Sequence, residues 1–306
     1  MLALVCPGQG SQTPGFLAPW VEQPGVRTHL DALSNAAGLD LLAHGTTSDA
    51  ATITDTAVAQ PLLVAAGLLA APFVLGVSSP PRVGAVAGHS VGEFTAAAVA
   101  GVLSEDTAMS LVALRGRAMA EASAVTPTGM SAVLGGDPDE VLAALERCGL
   151  SPANVNGAGQ VVAAGTREQL DALAAEPPAR TRVVPLKVAG AFHTEHMAPA
   201  VDALATAAAD HDVSDPGVTL LSNRDGAAVA TGVEVRDRLV AQVSSPVRWD
   251  LVLARLADLG VTAVLELPPA GTLTGLAKRA LPGVALLALK TPDDLDAARR
   301  LVEEHA

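Results

Sequence analysis

Residues Gly88-His89-Ser90-Val91-Gly92 have the form G-x-S-x-G and follow the small, apolar run Val83-Gly84-Ala85-Val86-Ala87. This order predicts a buried strand that turns sharply into a helix and holds a serine hydroxyl at the apex. The two glycines have a physical role. The turn forces the serine into a strained backbone, and side chains two residues to either side would collide with neighbouring elements.

A chain of 306 residues, half of them hydrophobic, can bury the large core that such a turn needs. Its net charge of -13 argues against nucleic acid and anionic membranes as partners. Lysine occurs only at Lys187, Lys278 and Lys290, and Cys6 and Cys148 are too few for a disulfide framework or a zinc cluster. Leu2-Ala3-Leu4-Val5 is shorter than a secretory apolar core, and the run Leu62 to Val77 is interrupted by Pro72. The expectation is a cytoplasmic monomer in a reducing compartment.

Leu2 to Cys6 reads as a strand entering the glycine-rich loop Pro7-Gly8-Gln9-Gly10-Ser11-Gln12. It lacks the lysine of a phosphate loop. A helix over Ala57 to Leu75, the strand before Ser90 and a helix from Val91 towards Ala100 follow. Alternation of this kind predicts a parallel sheet covered on both faces. Ser104-Glu105-Asp106 caps the next helix, whose inward stripe reads Ala108, Leu111, Val112, Arg115, Met119.

Between Thr126 and Val188 the pattern becomes strand (Met130 to Leu134), helix (Pro138 to Cys148), strand (Asn154 to Asn156), strand (Gln160 to Ala164), helix (Glu168 to Ala175), strand (Arg182 to Leu186). That is the β-α-β-β-α-β order of a ferredoxin-like unit. The expected fold is therefore α/β, with residues 126–188 inserted as a small subdomain into a larger one made of residues 1–125 and 189–306. Helices over Glu195 to Ala209, Val235 to Val243, Trp249 to Leu259, Thr272 to Leu281 and Asp293 to Glu304, with three further strands, complete the larger part.

A serine needs a base within hydrogen-bond reach to act as a nucleophile. Of the seven histidines, His193 is best placed, at the strand-to-helix junction Gly190-Ala191-Phe192-His193-Thr194. No acid stands out in the interval where a hydrolase triad would carry one, so something other than a carboxylate is expected to orient the base. Arg115 occupies a position that calls for an apolar side chain. A buried guanidinium requires a partner, and its fork suits a carboxylate held by two bonds.

The set Gly8-Gln9-Gly10-Ser11-Gln12, Gly88-His89-Ser90-Val91-Gly92-Glu93, Arg115-Gly116-Arg117 and Gly190-Ala191-Phe192-His193-Thr194 resembles the malonyl-CoA:acyl carrier protein transacylases. The resemblance extends through Asn156-Gly157-Ala158-Gly159-Gln160-Val161-Val162, Ser245-Pro246-Val247-Arg248-Trp249 and Gly271-Thr272-Leu273-Thr274-Gly275-Leu276. It implies an α/β-hydrolase-like core with a ferredoxin-like insertion. It further implies Ser90 as the acylated nucleophile, His193 as base and then acid, and Arg115 as the clamp on the malonyl carboxylate. The amides of Gln9 and Val91 would form the oxyanion hole, and the main-chain carbonyl of Gln242 would orient the histidine. Asn156 would line the cleft, and Val91 and Phe192 would favour malonyl over methyl-branched units.

The implied partners are malonyl-CoA and an acyl carrier protein of fatty acid or polyketide synthesis, with no metal or other cofactor. Arg182, Lys187, Lys278 and Arg279 are the candidate docking cations for an acidic carrier. Two readings compete with this one, a serine hydrolase acting on esters or thioesters and a stand-alone polyketide acyltransferase. A non-catalytic scaffold is a third class.

Overall fold

A computed structural model describes residues 1–76, 82–157 and 159–306. Val77, at the end of the long apolar run, and Ala158, within one of the resemblance motifs, lie outside these residues. Among the described residues, ten strands fall into two sheets. In chain order they are β1 (Leu2–Cys6), β2 (Ala85–Gly88), β3 (Thr128–Gly135), β4 (Ser151–Gly157), β5 (Gln160–Thr166), β6 (Thr181–Pro185), β7 (Thr219–Leu221), β8 (Val247–Arg248), β9 (Ala263–Glu266) and β10 (Ala285–Ala288).

The larger sheet has the order β10-β9-β1-β2-β7 and every pair in it is parallel. β1, β2 and β9 are buried at each residue, which explains their unbroken runs of small and branched apolar side chains. Because all strands point the same way, the loops after β1, β2 and β7 emerge side by side at one carboxyl edge. Open α/β sheets bind their ligands at that edge.

The long apolar helix runs from Thr56 to Leu75 with Pro61 and Pro72 inside it. By length and composition it could cross a membrane, but most of it is buried in the interior of the protein. It packs against the helix Glu105–Val125, where the lack of a side chain at Gly116 lets the two backbones approach: a Cβ there would lie 2.9 Å from the Thr56 carbonyl. Four short helices, Ala18–Val21, Val26–Ala37, Leu41–Thr46 and Ala50–Thr54, precede it, in a stretch where the sequence reading names no element. Asp40 and Asp49 cap two of these helices through their side chains, and Asp55 caps the long helix itself.

The second sheet has the order β6-β3-β5-β4-β8. Its first four strands, with the helices Pro138–Arg147 and Arg167–Ala175 between them, have the ferredoxin-like connection and antiparallel pairing. The fifth strand is a departure from the sequence reading. β8, from far along the chain, pairs parallel to β4 through Asn154 and Val155, so the smaller sheet is completed by two residues beyond the expected insertion. Two residues are too few to show an alternating pattern, and the sequence reading starts a helix at Trp249 without them.

Candidate active site

Ser90 sits where β2 ends and the helix Gly92–Val99 begins, with φ of 53°, in the left-handed region that disfavours a side chain. The flanking glycines are required by packing. A Cβ on Gly88 would fall inside the main chain of Gly92, and one on Gly92 would strike the Cys6 carbonyl at the end of β1. His193 also has a left-handed backbone, with φ of 62°. It is fixed on both sides: the Ala191 N–H donates to Thr128 Oγ1 at 3.0 Å, and the Thr194 hydroxyl donates to the Ala191 carbonyl at 2.7 Å.

The two side chains meet. Ser90 Oγ lies 2.8 Å from His193 Nε2, and His193 Nδ1 lies 2.9 Å from the main-chain carbonyl of Gln242. A carbonyl can only accept, so Nδ1 carries the proton and Nε2 is left to accept the serine hydroxyl. The Gln242 amide nitrogen is also near Nδ1, at 3.2 Å, but its own orientation is set by Arg115, which claims the amide oxygen at 2.8 Å. Burial, and then the positive charge of Arg115, pull the His193 pKa down to about 3, so the ring is neutral in the free protein.

Arg115 is 1% exposed. Its NH1 donates to Gln60 Oε1 at 2.6 Å, and its NH2 to Gln242 Oε1 and, at 3.4 Å, to Ser90 Oγ. Among the described residues its Nε has no partner and no carboxylate lies within ion-pair distance of the group. Burial lowers its pKa to about 10, which still leaves it charged at neutral pH. A buried cation is thus held beside the serine by neutral oxygens only, with donor capacity to spare.

A cleft opens over Ser90 and His193, lined also by Gln9, Gln60, Val91 and Phe192 and by residues of the smaller sheet, including Met130, Asn154 and Val162. Gln9 is anchored by its side chain to the Thr54 carbonyl, at 3.1 Å. Val91 stands at the N-terminus of its helix, where main-chain N–H groups face outward and favour negative charge. Asn156 is not part of the lining. Its amide oxygen meets buried His89 Nε2 at 2.9 Å, and Asn154 reaches the cleft instead.

Two polar residues at the site have no role in the sequence reading. Gln60 is the only polar side chain between Ala57 and Leu75, and this exception in an apolar run is the same kind of signal that marks Arg115. Asn223 follows β7 in Ser222-Asn223-Arg224-Asp225-Gly226, which reads as an ordinary turn.

A parallel sheet that raises a serine against a neutral histidine, with a buried guanidinium on the same oxygen, defines an acyl-transferring enzyme, and the acyl transferase domain family matches residues 3–291. Within that family the chain belongs to the malonyl CoA-acyl carrier protein transacylases. It is 56% identical to the protein of that name from Mycobacterium bovis over 298 residues, which cover 97% of this chain and 98% of the relative. The crystal structure of MCAT from Mycobacterium tuberculosis superposes with a TM-score of 0.93 at 55% identity, covering 97% of this chain and 99% of that one. A structure of a type II PKS acyl-carrier protein in complex with its malonyl-transacylase matches with a TM-score of 0.90 at 31% identity, over 98% and 99% of the two chains. These structures share the two-part fold described above.

Proposed function

We propose that this protein moves a malonyl group from malonyl-CoA to the phosphopantetheine thiol of an acyl carrier protein, through a malonyl ester on Ser90. The observation that carries the reading is the convergence on one serine oxygen of a neutral histidine at 2.8 Å and a buried arginine at 3.4 Å that has no carboxylate of its own.

The carboxylate of malonyl-CoA supplies the partner that Arg115 lacks, using the free Nε and an adjacent NH group as a fork. Ser90 Oγ attacks the thioester carbonyl while His193 Nε2 takes its proton, and the Gln9 and Val91 amides receive the oxyanion. The tetrahedral intermediate collapses, the carbon–sulfur bond breaks, and the proton on His193 passes to the departing coenzyme A thiolate. In the second half the carrier thiol gives its proton to His193 and attacks the ester, and Ser90 leaves with that proton. The Gln242 carbonyl takes the place of a triad acid: it fixes the tautomer without bringing a second charge. Every step uses groups of this chain and its two substrates, with no added cofactor.

Phe192 and Val91 narrow the cleft beside the malonyl central carbon and disfavour a methyl branch by about 1–3 kcal/mol. Residues 126–188 form the small subdomain over the cleft. Arg182, Lys187, Lys278 and Arg279 are all exposed and offer the cationic side chains for an acidic carrier in the cytoplasm.

Intact-mass measurement of the protein mixed with malonyl-CoA, followed by peptide mapping, tests the reading. The expected result is one malonyl group on Ser90, stable until holo carrier protein removes it. Rapid release of free malonate without carrier would favour the hydrolase reading, and absence of any adduct would favour a scaffold.

A further inference from the structure

Asn223 is fully buried and uses both ends of its side chain on the nucleophile turn. Its Oδ1 accepts the Ser90 N–H at 2.7 Å, and its Nδ2 donates to the Gly88 carbonyl at 2.5 Å. Its own main-chain N–H donates to a Glu93 carboxyl oxygen at 2.8 Å, and its carbonyl accepts the Arg248 N–H at 2.8 Å. One residue therefore joins the end of β2, the serine, the following helix and β8.

The pattern has a specific meaning. In a parallel ladder one residue bonds through its N–H and C=O to the carbonyl and the N–H that straddle a residue on the next strand. β7 pairs with β2 up to Leu221 opposite Ala87 and then stops. The Asn223 side-chain amide supplies the next rung, taking the Gly88 carbonyl and the Ser90 N–H on either side of His89. This extension holds the peptide groups on both sides of His89 and so fixes the chain as it enters Ser90, whose φ is left-handed. It also occupies the Ser90 N–H, which leaves the N–H of Val91 to face the cleft.

We propose that Asn223 is a positioning residue for the nucleophile, acting as a side-chain rung that locks the Ser90 turn in its attacking geometry; this rests on Ser90 being the acylated residue. Only a group with one donor and one acceptor in the amide geometry can serve. An ionised carboxylate would accept from Ser90 but repel the Gly88 carbonyl, whereas a protonated carboxyl restores the donor.

The test is rapid-quench, single-turnover acylation by malonyl-CoA, read by intact mass, for wild type, Asn223→Ala and Asn223→Asp across the pH range. Asn223→Ala is expected to slow acylation by about 100-fold, with KM for malonyl-CoA changed by no more than about twofold. For Asn223→Asp, the rate relative to wild type should rise as pH falls and the carboxyl takes up its proton, a recovery that a general packing defect would not produce. Acylation by Asn223→Ala at the wild-type rate would overturn the proposal, as would an Asn223→Asp to wild-type ratio that is flat with pH. If Asn223→Ala does not fold, the Asn223→Asp profile decides alone. Hydrogen exchange at the Ser90 amide gives a readout free of acyl chemistry: protection in wild type and loss of protection in Asn223→Ala, which removes the acceptor, support the rung, and equal protection overturns it. Absence of any wild-type adduct on Ser90 would overturn the functional reading, while the exchange result would still decide the rung.

Discussion

The two sheets face one cleft but are built to different standards of rigidity. β1, β2 and β9 of the parallel sheet are buried at every residue, and the elements they deliver are cross-braced by hydrogen bonds. In the smaller sheet β3 and β5 have five buried residues each, but no residue of β6 is buried and only two of the seven in β4 are. The parallel sheet supplies Ser90 and the loop bearing Gln9, and the smaller one supplies apolar wall. Geometry that must be held to a fraction of an ångström is placed where packing from both faces prevents movement, and the wall that meets substrates of differing bulk belongs to a sheet whose strands β6 and β4 are largely unburied.

The largest expected effect breaks the rigid side. Ser90→Gly removes the nucleophile and with it at least about a thousandfold of transfer activity. The left-handed backbone at position 90 costs about 1–3 kcal/mol, and glycine relieves it at an entropic cost of about 0.5–1 kcal/mol. The inactive variant should therefore unfold at higher denaturant than wild type, by an equivalent of about 1 kcal/mol. A destabilised Ser90→Gly would mean that the turn holds no strain. Arg115→Ala comes next: malonyl transfer should fall by about 100-fold and acetyl transfer far less, since only malonyl has the carboxylate. Equal loss of both, measured by acyl-carrier formation, would remove the clamp role.

Protonation sharpens the contrast without touching chemistry. Folded His193 stays neutral down to about 3, mainly through burial, whereas the unfolded chain takes up its proton near the ordinary value of 6.5. Between these values the unfolded state binds more protons, so stability falls as pH is lowered. Glu93 acts in the opposite sense. Burial raises its folded pKa to about 8 from 4.5, so over that interval only the unfolded state loses its proton and stability falls as pH rises. The two slopes oppose one another between about 4.5 and 6.5, giving a broad maximum and an alkaline decline up to about 8. Glu93→Gln keeps an oxygen for the Asn223 N–H and should abolish that decline in denaturant titrations. A decline that persists would assign it to another group.

The sequence carries the rigid half well because its constraints are local. A G-x-S-x-G after small apolar residues, an arginine on an apolar stripe and a histidine at a strand-to-helix junction each break a pattern, and each break is functional. Gln60 breaks a pattern too, as the lone polar residue between Ala57 and Leu75. Asn223 does not: asparagine before Arg224-Asp225-Gly226 is normal turn chemistry, and its role exists only once β7 lies beside β2. The Gln242 side chain is illegible for the same reason, since its link to Arg115 spans 127 positions. β8 escapes notice because a two-residue strand has no period, and the helices Ala18–Val21, Leu41–Thr46 and Ala50–Thr54 because each is short; Val26–Ala37 has a readable stripe at Val26, Leu30, Leu33 and Ala37 that the sequence reading passes over.

The smallest effect belongs to the cleft wall of the smaller sheet. Met130 lies on β3 and lines the same cleft as Phe192, and a methionine there is an unbranched filler that can be shortened without moving the serine. Met130→Ala should leave malonyl acylation within about threefold of wild type, because no group that touches the reacting atoms is displaced. The space gained should raise the rate with a methyl-branched acyl-CoA relative to malonyl-CoA, by up to about tenfold for a contact worth about 1 kcal/mol. Competition between the two thioesters, read as the ratio of the two adducts on Ser90, measures this directly. A fall in both rates together, with the ratio unchanged, would show that the wall is coupled to the catalytic edge and that the division of labour between the two sheets is not real.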